Sequence, residues 1–186
     1  AEWDGNELFY GFSSYTVPPG VYRVDLETGG AELWRAVEAD VDPARYEVSQ
    51  VSVRSRDGTD ISMFLVHRTG LVRDGRNPVY LTGYGGFNIS MTPAFSRSLL
   101  LWLESGGVVA IPNIRGGGEY GERWHQEGML GRKQNSFDDF IAAAEWLISR
   151  GYTTSARLAA AGGSNGGLLM GAVLTQRPEL FRAVVI

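Results

Sequence analysis

The chain has 186 residues, 44% of them hydrophobic, with 17 Lys and Arg against 21 Asp and Glu, a net charge of −4 and no cysteine. That length and apolar fraction suit one good-sized core and argue against disorder, while an acidic balance with scattered Lys and Arg excludes a nucleic-acid-binding surface. The lack of cysteine excludes disulfides, thiolate nucleophiles and Cys-ligated zinc, and fits a reducing compartment.

No run of about 18 apolar residues occurs, so no membrane span is expected. The start, Ala1-Glu2-Trp3-Asp4, lacks the basic, apolar and small-residue order of a signal peptide.

From Glu7 to about Arg35 the pattern is strand-like. Leu8, Phe9, Tyr10 and Phe12 precede a Pro18-Pro19-Gly20 break, Val21, Tyr22, Val24 and Leu26 follow, and Thr28-Gly29-Gly30 turns into Glu32-Leu33-Trp34. Such a meander is too small to bury its own surface and reads as the end of something larger.

After an acidic connector (Glu38, Asp40, Asp42, Pro43), residues 46–54 and 61–68 form two predicted strands joined at Arg56-Asp57-Gly58, a hairpin signal. From Pro78 onward, strands at 79–81, 108–111, 158–161 and 181–186 alternate with helices near 94–104, 137–150 and 166–176. This alternation predicts an α/β fold, a mostly parallel sheet covered by helices on both faces. The last predicted strand runs into Ile186, as if the sheet continued. No internal repeat is present, and the 25 glycines concentrate at 83–86, 106–107, 116–121 and 162–167.

The sharpest chemical signal is Gly162-Gly163-Ser164-Asn165-Gly166, a G-x-S-x-G between a short apolar strand and a helical stretch. In a nucleophile elbow the Ser occupies a strained strand-to-helix turn, and flanking glycines leave room for it. The following helix would aim its free amides at the reacting centre, which makes the Asn165 N–H the natural first oxyanion donor. A flexible glycine loop or an anion-binding turn is the plainer alternative for the five residues alone; the flanking strand and helix favour the elbow.

The loop Thr82-Gly83-Tyr84-Gly85-Gly86-Phe87-Asn88 follows the strand that supplies the other half of an oxyanion hole in such folds. Tyr84 offers a phenolic donor; its plainer alternative is a buried Tyr satisfied by a local partner. The segment Asn113-Ile114-Arg115-Gly116-Gly117-Gly118-Glu119-Tyr120-Gly121 lies at the ligand-binding edge of the predicted sheet. An Arg115 to Glu119 ion pair pinning the loop is the favoured reading there, without a catalytic role. Asp138 and Asp139 read as caps at a helix start.

Both histidines, His67 and His125, precede Ser164, whereas the chain order in this fold is Ser, then Asp or Glu, then His. His125 lies in the amphipathic stretch Glu122-Arg123-Trp124-His125-Gln126-Glu127 and reads as a packing or surface residue.

Tyr84-Gly85-Gly86-Phe87-Asn88, residues 113–121, Lys133-Gln134-Asn135-Ser136-Phe137-Asp138-Asp139-Phe140 and residues 162–167 together resemble the prolyl oligopeptidase (prolyl endopeptidase) family, over essentially the whole chain. The resemblance implies a partial α/β-hydrolase fold preceded by the last blade of a β-propeller, with residues 1–38 as the blade end and 39–186 as the nucleophile half of the catalytic domain. It implies a cytosolic-type serine peptidase, monomeric when full length and without a cofactor, that cuts short peptides after proline. By the same resemblance Ser164 is the nucleophile, the Asn165 amide and Tyr84 hydroxyl form the oxyanion hole, and Phe87 and Asn165 contact substrate, Phe87 as a wall of the proline pocket. The family's Asp and His would follow Ile186, leaving this segment alone inactive. An esterase on the same fold and a non-catalytic hydrolase-like fragment are the alternatives.

Overall fold

In a computed structural model that describes residues 5–186, the chain forms two sheets, of three and six strands. Residues 1–4, on which the signal-peptide expectation rests and where the first expected domain begins, lie outside the described residues.

The first sheet is the expected antiparallel meander of β1 (Glu7–Phe12), β2 (Gly20–Asp25) and β3 (Ala31–Ala36). Its second turn is built by the Asp25 carboxylate, which accepts from the Glu27 and Thr28 amides, and by Gly29 at φ 71°. Tyr10 stacks on Tyr22 at 5.2 Å and Phe9 meets Trp34 edge-on at 5.3 Å. Phe9, Phe12, Leu33 and Trp34 still keep between 41% and 55% of their surface exposed. The meander therefore has aromatic pairs but no enclosed core.

The second sheet contains β4 (Tyr46–Arg54), β5 (Asp60–Arg68), β6 (Val79–Thr82), β7 (Val108–Pro112), β8 (Leu158–Ala161) and β9 (Ala183–Val185), in the order β4-β5-β7-β6-β8-β9. The sheet is mixed. β4 with β5 and β5 with β7 are antiparallel, while β7, β6, β8 and β9 run parallel. The predicted hairpin closes with Gly58 at φ 88° and the Ser55 amide bonded to the Thr59 carbonyl at 2.8 Å.

Helices α1 (Arg97–Glu104), α2 (Glu122–Gln126), α3 (Gln134–Ser149) and α4 (Asn165–Gln176) complete the fold. Alternation along the strands splits the core in two. Ile61, Met63, Leu65, Val108 and Ala110 face the side packed by α3 and α4, while Val66, Val109 and Ile111 face the side packed by Leu103 of α1. Phe140, Ala143, Ala144 and Leu147 of α3 are fully buried at helical spacing. Among the described residues no helix is long and apolar enough to cross a membrane.

Three predicted boundaries are corrected, the first being α1, which starts at Arg97 behind the Ser96 cap rather than near 94. α3 starts at Gln134, three residues before the predicted 137, so Asp138 and Asp139 lie inside the helix rather than at its start. β9 is shorter than the predicted 181–186, because Pro178–Leu180 forms a 3₁₀ turn leading into it.

Pairing register fixes where the loops emerge. Leu81 lies opposite Ala110 and Thr82 opposite Ala161, so the chain leaves β6, β7 and β8 at one edge of the sheet. Phe140→Ala should destabilise the protein by about 3–5 kcal/mol through the cavity it leaves. Leu101→Ala, at an exposed position of α1, should stay within about 0.5 kcal/mol. Chemical denaturation of the two variants checks the contrast.

Candidate active site

β8 ends at Ala161 and α4 begins at Asn165, so the turn between them is only three residues long. Ser164 sits in it at φ 56°, ψ −120°, an unfavourable backbone conformation for a side chain, and is exposed. Tight packing explains the flanking glycines. A Cβ on Gly162 would approach the Gly166 carbonyl oxygen to 2.6 Å, and one on Gly166 would approach the Gly83 carbonyl oxygen to 2.9 Å. The Gly166 and Gly167 amides bond to the Gly163 and Ser164 carbonyls at 2.8 and 2.9 Å, whereas among the described residues no backbone carbonyl takes the Asn165 amide. A free amide at the start of α4 is suited to hold developing negative charge.

The loop after β6 packs directly on this turn. Asn165 Nδ2 donates to the Tyr84 carbonyl oxygen at 2.5 Å, and a Cβ on Gly86 would fall 2.4 Å from that nitrogen. The Tyr84 ring reaches the first turn of α4, within 3.9 Å of a Cβ built on Gly166. Phe87 and Asn88 adopt φ 54° and 57°, and Phe87 is 72% exposed. Two consecutive left-handed non-glycine residues are costly and persist only where the surroundings hold them.

Those surroundings are the loop after β7. A Cβ on Gly116 would meet the Gly85 carbonyl oxygen at 2.4 Å, and the Asn88 amide donates to the Gly116 carbonyl at 3.2 Å. The predicted Arg115 to Glu119 pair does not form. Arg115 is 2% exposed and lies between two carboxylates. Asp139 accepts from its Nε at 2.9 Å, its Nη2 at 2.6 Å and its backbone amide at 2.9 Å. Asp57 accepts from Nη1 at 2.5 Å and Nη2 at 3.2 Å.

Burial opposes the Arg115 charge, but the hydrogen bonds to Asp139 and Asp57 outweigh it and raise the pKa above its ordinary value. The same guanidinium pulls Asp57 down to about 2. Glu119 instead receives the Met91 amide at 2.9 Å, and burial raises its pKa.

Neither histidine is engaged with Ser164. His67 Nδ1 lies 2.8 Å from the Arg68 carbonyl and its ring packs near Tyr152. His125 Nδ1 lies 2.8 Å from the Gly116 carbonyl and 3.1 Å from the Asn88 nitrogen. One tautomer cannot make both bonds. Since Asn88 already donates to Gly116, a protonated Nδ1 donating to the same carbonyl satisfies both donors and leaves the 3.1 Å approach of Asn88 to Nδ1 without a hydrogen bond.

The structure thus brings Ser164, Asn165 and Tyr84 to one sheet edge, with Phe87 farther along the loop that carries Tyr84. Sequence reasoning expected an ion pair at Arg115 but missed Asp139 as its partner, and it gave no role to Lys133, whose Nζ donates to the Gly85 carbonyl at 2.5 Å. The available signal was a charged residue inside a glycine run, which needs a partner supplied by the fold. The concavities of about 560 and 520 Å³ lie elsewhere, by Phe12 and Pro19 on the meander and between Arg56 and Glu145 beside α3.

Comparison with known proteins gives a consistent picture. The prolyl oligopeptidase family profile matches residues 93–186. The chain is 47% identical over 174 residues to a prolyl endopeptidase of Elizabethkingia meningoseptica, covering 94% of this chain and 25% of that protein. A solved prolyl endopeptidase structure superposes with a TM-score of 0.93 at 52% identity, covering 99% of this chain and 27% of the other. Prolyl oligopeptidase B of Galerina marginata, bound to a 25-residue macrocyclization substrate, gives 0.91 at 38% identity, covering 98% and 26%. The chain spans about a quarter of the length of the curated relatives it matches.

Asp139→Asn should cost about 3–5 kcal/mol, because it leaves a buried guanidinium short of charge. Asp138→Asn, at a partly exposed position of α3 with a Gln134 contact, should stay within about 0.5 kcal/mol. The low Asp57 pKa adds stability that is fully present above its unfolded value of about 3.9 and is lost as pH falls toward about 2. Acid titration of stability should show this loss in the parent protein and a smaller one in Asp57→Asn.

Proposed function

We propose a peptidase function from one premise: the chain belongs to the prolyl oligopeptidase family. In this reading the chain is the nucleophile-bearing part of a serine endopeptidase that hydrolyses short peptides on the carboxyl side of proline. Residues 39–186 are part of its α/β-hydrolase domain, and the meander within residues 1–38 is the end of the last blade of a β-propeller.

One observation carries the proposal. Ser164 stands exposed at φ 56° in a three-residue strand-to-helix turn, with the Tyr84 loop bonded to the next residue. The Ser164 hydroxyl attacks the scissile carbonyl while a His, supplied by another part of the enzyme and oriented by an Asp, takes its proton. The carbonyl oxygen becomes an oxyanion, which the Asn165 amide and the Tyr84 hydroxyl stabilise with preset hydrogen bonds. Collapse of the intermediate expels the amine, which receives the proton from the His, and water then releases the acyl group by the same steps. Phe87, exposed beside the site, forms a wall for the proline ring.

The test uses the full-length enzyme with proline-containing peptides, matched peptides lacking proline, and simple esters. Cleavage after proline, lost in Ser164→Ala together with fluorophosphonate labelling, is the expected outcome. Tyr84→Phe should lower kcat by about 10²-fold with little change in KM, as loss of one oxyanion donor does. Ester hydrolysis with no proline preference would point to an esterase, and absence of label at Ser164 to a non-catalytic role.

A further inference from the structure

Lys133 is half-buried just before α3, an unusual place for an ammonium group. Burial alone lowers its pKa, with no carboxylate contributing. Its Nζ instead bonds the Gly85 carbonyl oxygen at 2.5 Å, reaches Ser136 Oγ at 3.4 Å and lies 5.8 Å from the centre of the Phe137 ring. Surface exposure would serve a lysine better, so its acceptor needs explaining.

That acceptor belongs to the residue after Tyr84. Two successive carbonyls of this loop carry strong donors: Asn165 Nδ2 on Tyr84 and Lys133 Nζ on Gly85. Together they fix the peptide planes on either side of Gly85, which sits at φ 61° with its Cα packed toward Ile114. Gly116 closes the remaining side, since a Cβ there would strike the Gly85 carbonyl oxygen. The base of Lys133 is rigid as well. Ser136, one turn into α3, donates to the Arg115 carbonyl at 2.6 Å, the residue held by Asp139 and Asp57.

We propose that Lys133 is a positioning residue for oxyanion stabilisation: by clamping the Gly85 carbonyl, its ammonium presets the Tyr84 hydroxyl over the Ser164 turn. The proposal rests on the oxyanion role given above to Tyr84. A positioning group of this kind acts on the rate of the bonded step rather than on substrate affinity, because small misplacements of a catalytic donor are costly in the transition state.

A double-mutant cycle in the full-length enzyme tests it, with Lys133→Met, Tyr84→Phe and the double variant assayed on one proline peptide. Lys133→Met should lower kcat by about tenfold with KM within about twofold, and Lys133→Arg, which keeps the charge, should recover part of the loss. In the Tyr84→Phe background Lys133→Met should cost less than about threefold, since the donor it aims is gone. Equal losses in both backgrounds would overturn the role of Lys133 and leave the oxyanion reading intact, as would a change in KM alone. A Tyr84→Phe enzyme with undiminished kcat would overturn both. If Lys133→Met does not fold, the cycle is run with Lys133→Gln, which also removes the charge; if neither folds, Lys133 is a structural residue and the proposal fails.

Discussion

A guanidinium at 2% exposure is the constraint around which the sheet edge is arranged. Removing Arg115 from water costs several kcal/mol, and only a full set of carboxylate and hydrogen-bonding partners offsets that. Asp139 from α3, Asp57 from the β4 to β5 turn, and Ser55 and Thr59 on either side of it supply the set. The Ser55 hydroxyl also donates to Asp139 at 2.5 Å, so the acceptor is itself held in place. Elements separated by up to 84 residues are thereby tied to one side chain in the loop after β7.

Once that loop is rigid, its glycines act as a template. Gly116 and Gly128 come so close that a Cβ on Gly128 would lie 2.2 Å from the Gly116 nitrogen, and Gly116 in turn contacts the Gly85 carbonyl. The loop after β6 therefore has one backbone path, which leads Tyr84 to the first turn of α4 and forces Phe87 and Asn88 into left-handed conformations. Strain at three non-glycine positions, Phe87, Asn88 and Ser164, collects at one edge because the packing behind it is over-determined.

This division explains what the sequence disclosed. The Ser164 turn was legible because its requirements are local: a short apolar strand, small neighbours and a helix within a dozen residues. The β4 to β5 hairpin and the meander were legible for the same reason. The partner of Arg115 was not, since Glu119 is four residues away and Asp139 is 24, and sequence proximity favoured the wrong carboxylate. The start of α3 was misplaced because Lys133 provides no side-chain cap, and the helix follows instead from the 3₁₀ turn Leu130–Arg132. Strand order was hidden too, since β6 lies between β7 and β8 although it precedes both in the chain.

The two cations near the edge divide the labour by chemistry. Arg115 has a planar fork that can satisfy two carboxylates at once and keeps its charge in a buried network. Lys133 has a compact charge on a flexible stem, suited to reaching one carbonyl without a counter-ion. Neither replaces the other in full: a lysine at 115 could not bond Asp139 and Asp57 bidentately, and a guanidinium at 133 would keep the charge and one bond to the Gly85 carbonyl but leave its other donors without acceptors, restoring only part of the clamp. The glycine-rich sequence around them is thus the complement of these two cations, an open backbone that their fixed charges, together with Asn165 and Ile114, hold in one conformation.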